Sequence, residues 1–131
     1  MKLAQLVPQT CKFYLKHPVT LENITNDDGA EVFWNVVGHD SVQYHDSQQD
    51  FLKHLEKLGD KASDLKAKDY REQAVKQVSS LVIGWDEEFD DFHGGKFSKK
   101  KVAEILASSD YGWVMNQIDK FVAVRRNFFA E

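Results

Sequence analysis

Glu31-Val32-Phe33-Trp34-Asn35-Val36-Val37 is followed, after Gly38-His39-Asp40-Ser41, by a run that carries Phe51, Leu52, Leu55 and Leu58. Between these two passages the hydrophobic period changes from that of a strand to that of a helix. In the first, Val32, Trp34 and Val36 share one face and Phe33 and Val37 the other, with the β-branched and aromatic density of a strand. In the second, apolar residues recur at helical spacing, Asp40 or Ser41 stands where an N-cap belongs, and Gly59 stops the run. The chain therefore opens as β structure and continues as helices.

Upstream, Cys11, Phe13 and Leu15 alternate with Lys12, Tyr14 and Lys16, the pattern of a half-buried strand that Pro18 interrupts. Asn26-Asp27-Asp28-Gly29 is a turn signal, its glycine able to take positive φ. An antiparallel pairing of residues 10–17 with 31–37 is expected. Downstream, a second helix is expected over about 62–82, with Leu65, Tyr70, Ala74, Val78 and Leu81 as its stripe. Gly84 and an acidic stretch end it, and His93-Gly94-Gly95 makes a loop. Ser98 is a cap for a third helix, with Phe97 and Val102 as a hydrophobic staple and Val102, Ile105 and Leu106 as its buried face. Asp110 can cap a last helix whose stripe is Val114, Ile118, Phe121, Val122 and Arg125. The expected fold is α+β and mostly α-helical: a small N-terminal antiparallel β element followed by about four helices. It forms one domain over 1–131, β-rich in 1–39 and helical in 40–131.

Composition narrows the function. With 131 residues, 42% hydrophobic and 29% charged, the chain has the make-up of a globular domain able to bury its own core. A net charge of -4 has the wrong sign for a protein held on nucleic acid by phosphate neutralisation. The longest apolar run, Leu81 to Trp85, is far short of the ~20 residues of a membrane span, and the first residues do not read as a signal peptide. A single cysteine, Cys11, excludes an internal disulfide framework. A soluble, intracellular protein is expected.

Patterns that carry chemistry are few. Asp86, Glu88 and Asp90 match the first, third and fifth positions of an EF-hand loop, but Asp91 stands where its glycine belongs and Phe97 where its bidentate glutamate belongs. The histidines His17, His39, His45, His54 and His93 lack the three- or four-residue spacing of helical zinc ligands and read as surface or loop residues. No nucleophile elbow or glycine-rich phosphate loop occurs. No enzyme, catalytic residue, metal or cofactor is expected.

Charge and aromatics point instead to protein contacts. Residues 86–95 hold five acids and no lysine or arginine, while 96–131 carry a surplus of three basic groups. Lys99, Lys100 and Lys101 occupy the first turn of a helix, where the dipole disfavours cations, so something else must favour them there, and the neighbouring acids are the candidates. Arg125, Arg126, Phe128 and Phe129 crowd together near the last residue, and aromatics with arginine are preferred interface anchors. Candidate interaction residues are Asp86, Glu87, Asp90, Asp91, Lys99, Lys100, Lys101, Arg125, Arg126, Phe128 and Phe129. The acids of one copy facing the lysines of the next would set a head-to-tail register.

Several of these elements together carry a resemblance. Gly84-Trp85 before an acidic stretch, Gly95-x-Phe97-Ser98, and Trp113-x-x-x-Gln117-x-x-x-Phe121-x-x-x-Arg125-x-Asn127-Phe128 resemble tail assembly chaperones of long-tailed (siphovirus-type) bacteriophages and prophages. Leu15-x-His17-Pro18-Val19-Thr20 and Asp40-Ser41-x-x-Tyr44 look like that family's opening. The likeness spans most of the chain and is strongest over 84–128. Two positions depart: Leu21 stands where family members often have glycine, and Val124 where they often have aspartate. The resemblance implies a non-enzymatic late protein of the host cell cytoplasm, absent from the mature virion. It implies a homo-oligomer that coats the tape measure protein and keeps it soluble while the tail tube polymerises. A frameshifted longer form would recruit the tail tube protein. Neither nucleic acid nor membrane is an implied partner. The alternative is a small intracellular adaptor or regulatory domain that binds one helical partner.

Overall fold

The computed structural model describes residues 2–129. Strands β1 (Cys11–Tyr14), β2 (Phe33–Val36) and β3 (Val82–Gly84) form an antiparallel sheet in the order β1-β2-β3. β1 and β2 pair antiparallel as expected, with a register that runs from Cys11 opposite Val36 to Tyr14 opposite Phe33. Single bridges, Lys16 to Asn23 and Thr25 to Glu31, extend the connection between them. Its turn is built as the sequence suggests: Asn26 Oδ1 accepts the N–H groups of Asp28 (3.1 Å) and Ala30 (2.9 Å), and Gly29 has φ 83°.

β3 corrects the expected helix over 62–82. That segment divides into a 3₁₀ stretch, Gly59–Asp64, and helix α2 (Ala67–Leu81), after which Val82 leaves the helix and joins the sheet. Leu81 and Val82 fit a helical stripe as well as a strand, and three residues are too few to show a period of 2. The extra strand makes β2 central, and both faces of the segment are covered: Phe33 and Val37 are buried along with Val32, Trp34 and Val36.

Four helices of nine or more residues lie among the described residues: α1 (Val42–Leu58), α2, α4 (Lys99–Ala107) and α5 (Gly112–Val122). A single-turn helix α3 (Asp90–His93) follows a 3₁₀ turn, so the expected acidic loop is largely helical. The caps follow the hydroxyls: Ser41 Oγ accepts Tyr44 N–H, and Ser98 Oγ accepts Lys101 N–H at 2.9 Å. Before α5, Ser108 rather than Asp110 supplies the hydroxyl, accepting Asp110 N–H at the 3₁₀ turn Ser109–Tyr111.

Helices α2, α4 and α5 pack on one another, and α2 and α4 also meet β3. Trp34, Leu81, Phe89, Leu106 and Ile118 lie fully buried at the centre. α1 is different. It packs on α2, yet its only buried residue is Ser47. Phe51, Leu55 and Leu58 are half-buried, and Leu52 is 50% exposed.

Candidate functional site

The candidate charged residues divide between internal structure and free surface. Lys99 answers the puzzle of a cation in the first turn of α4. Its ammonium reaches the end of α2 and donates to the carbonyl oxygens of Val82 (2.6 Å), Ser80 (3.1 Å) and Ser79 (3.5 Å). A cation at a helix C-terminus offsets the negative end of the dipole and satisfies carbonyls that lack intrahelical partners. Partial burial lowers the pKa of Lys99. The group that holds it is a helix end, not the neighbouring acids. Lys100 is exposed and Lys101 half-buried.

Among the acids, Asp90 is engaged within the chain: Trp85 Nε1–H donates to its Oδ1 at 3.0 Å. Asp86, Glu87, Glu88 and Asp91 are exposed. Asn26 Nδ2 donates to the Glu88 carbonyl at 3.5 Å, which brings Asp27 and Asp28 to Glu88 and Asp91 around one surface hollow of about 370 Å³. The acidic surface thus has two members from the β1–β2 connection. Their separation in sequence hid them.

Behind it lies a buried polar contact. Trp34 Nε1–H donates to His93 Nε2 at 2.8 Å, and the Trp85 ring lies 4.1 Å from the imidazole, centroid to centroid. His93 is 9% exposed, which corrects its reading as a loop residue. Accepting the indole hydrogen requires a neutral imidazole nitrogen. Burial lowers its pKa to about 4, with Lys101 adding to the fall and Asp90 opposing it. The pairing spans 59 positions and had no local signal. Burial likewise raises the thiol pKa of half-buried Cys11.

The carboxy-terminal candidates form an internal clasp. Phe128 is 3% exposed and lies on Gly38, where an added Cβ would come within 2.6 Å of its ring. Phe121 packs against Phe13 with tilted rings (5.3 Å between centroids) and edge-to-face against Phe128 (5.7 Å). Arg125 grips Asp40 through Nε (2.8 Å) and Nη2 (3.1 Å), an exposed bidentate pair that raises the arginine pKa. Asn127 Nδ2 donates to the Phe121 carbonyl at 3.0 Å. Gln117 pairs with the Lys16 backbone: Oε1 accepts its N–H (3.0 Å) and Nε2 donates to its carbonyl (2.8 Å). Phe128 is therefore spent inside the protomer, and Phe129 is half-buried against the core. Arg126 is exposed.

A hollow of about 740 Å³ runs between α1, α2 and α4. Asp46, Asp50 and His54 of α1 form one wall, and Lys76, Lys99 and Lys100 stand on the other side. Ser79, which also borders it, has a buried hydroxyl with no hydrogen-bond partner among the described residues. A groove with opposed charged walls suits a segment of mixed charge better than a reacting small molecule. No group of three or more His, Cys, Asp or Glu side chains among the described residues is placed to hold a metal ion, and no helix there is long and apolar enough to cross a membrane.

No protein-family model, curated protein or solved structure matches the chain.

Proposed function

We propose that this protein is a tail assembly chaperone of the long-tailed phage type: a non-enzymatic, self-associating protein of the host cytoplasm that binds the tape measure protein and keeps it soluble for tail tube polymerisation. The observation that carries the reading is α1. This helix is amphipathic yet fully buries no large apolar side chain, only Tyr44 packing partly against the core, and it leaves a charged groove beside α2 and α4. Such a groove offers a long helical client one seat per copy, read by apolar and charged contacts together.

The residues of the resemblance support the reading in a second way, because they do coherent structural work. Gln117, Phe121, Arg125, Asn127 and Phe128 build the clasp, and Asp40 and Ser41 receive it and start α1. In the turn after β1, His17 Nδ1 accepts the N–H groups of Val19 and Thr20, and Leu21 takes φ 63°. That is a left-handed position where glycine, the residue often present in the family, would sit without strain. A longer, frameshifted form that recruits the tail tube protein is the natural companion of this role.

The test is co-expression with the long helical product of the neighbouring gene. The client is expected in the soluble fraction only in this protein's company, and less of it with Asp46→Lys/Asp50→Lys in the α1 wall. A client equally insoluble with and without the protein overturns the reading. A monomeric complex with a single short helix, at every concentration, favours the adaptor instead.

A further inference from the structure

We propose that the amino-terminal arm of one copy docks into an aromatic hollow on the next, joining copies head to tail. The inference rests on the self-association in the reading above and not on the client. The arm is residues 2–10, every one of them exposed. Its short turn Leu3–Gln5 displays Leu3 (84% exposed), Leu6 (47%) and Val7 (50%), three apolar side chains with little of their own protomer to cover them. Gln9 N–H donates to the Phe128 carbonyl at 2.7 Å, so the arm springs from the clasp and has a fixed root.

The receiving surface is a hollow of about 250 Å³ between α3, α4 and the start of α5, bordered by the large side chains of Phe92, Ile105, Tyr111 and Trp113 and by Lys101. Phe92 is 42% exposed and Tyr111 44%, large apolar side chains that a protein surface exposes together mainly where something docks. Phe92 also borders the acidic hollow of Asp27, Asp28, Glu88 and Asp91, so an aromatic floor meets an anionic rim. The residues that border the acidic hollow include no lysine or arginine, Lys101 bordering the aromatic one, and neither ion pair found among the described residues, Lys68–Glu72 or Arg125–Asp40, involves that rim.

Charge selects the occupant. The segment that fits must be apolar, free of acids and supplied with a cation. Val42 and Leu52 lie on a helix that also carries Asp46 and Asp50, Val19 and Leu21 stand in a tight turn closed by Glu22, and Val124 is one exposed side chain against the arm's three. The arm carries Lys2, and no acid precedes Glu22. Arm and hollow are different surfaces, so the contact is heterologous and propagates from copy to copy.

Two double variants test it, all four positions being exposed: Leu3→Ser/Leu6→Ser in the arm and Phe92→Ser/Tyr111→Ser in the hollow. Each is expected to keep the parent's circular dichroism and to lower the light-scattering mass at high concentration to that of one chain. Mixed, they are expected to form one-to-one dimers and nothing larger, because one intact arm meets one intact hollow. A parent chain that is itself monomeric, assembly by either variant alone, or a mixture that stays monomeric overturns the proposal. A client that stays insoluble beside a parent chain that assembles would sink the chaperone reading and leave the arm contact standing.

Discussion

Helices α1 and α5 look alike as sequence, each amphipathic with an apolar stripe, yet the fold treats them differently. α5 buries Val114, Ile118 and Val122 completely and is tied to the sheet through Gln117 and Phe121. α1 buries only Ser47 and leaves its leucines half in water. Periodicity reports which side of a helix faces inward, not how far inward it goes. Depth is set by distant anchors, and those anchors belong to α5 and the segment after it.

The largest expected effect attacks the anchored side. Phe128→Ala empties the space over Gly38 and should cost about 3–5 kcal/mol in denaturant unfolding; a loss below 1 kcal/mol would mean the clasp is ornamental and the contrast with α1 false. Next comes acid. Because the folded state holds His93 at about 4, below its ordinary 6.5, the unfolded chain binds the proton more readily between those values. Stability should be complete above pH 6.5 and fall by about 3 kcal/mol as pH drops to 4. His93→Gln, which keeps an acceptor for Trp34 but cannot titrate, should flatten that part of the pH profile of thermal melting.

Two smaller effects sharpen the comparison. Leu21→Gly relieves the left-handed backbone and should raise stability by about 1 kcal/mol, read as a melting temperature a few degrees higher. A lower melting temperature would show that the Leu21 side chain contributes more than its strain costs. On α1, Leu52→Ala should change stability by less than about 0.5 kcal/mol in the same assay. A larger loss would place α1 among the anchored elements.

Much of this architecture was legible in the residues. The alternation of Cys11 to Lys16 and of Val32 to Val37 specified two strands, and Ser41 and Ser98 announced their helices. What was hidden depends on long-range partners. β3 is too short for a period to show, and His93 became a core residue only when Trp34 reached it from the sheet. Lys99 read as a misplaced charge until the end of α2 came into range. Among the candidate contacts, Phe128 and Asp90 carried composition typical of interfaces but are consumed by folding, while Asp27 and Asp28 joined the acidic surface from a turn read only as a turn.

Gln117 has a consequence beyond its own helix. Its carboxamide offers the Lys16 backbone a donor and an acceptor together, as a residue of a fourth strand would. At that register the sheet's outer border is already satisfied, and an incoming backbone finds nothing there to bond. A strand from another chain is refused at that one position, at the cost of a single amide.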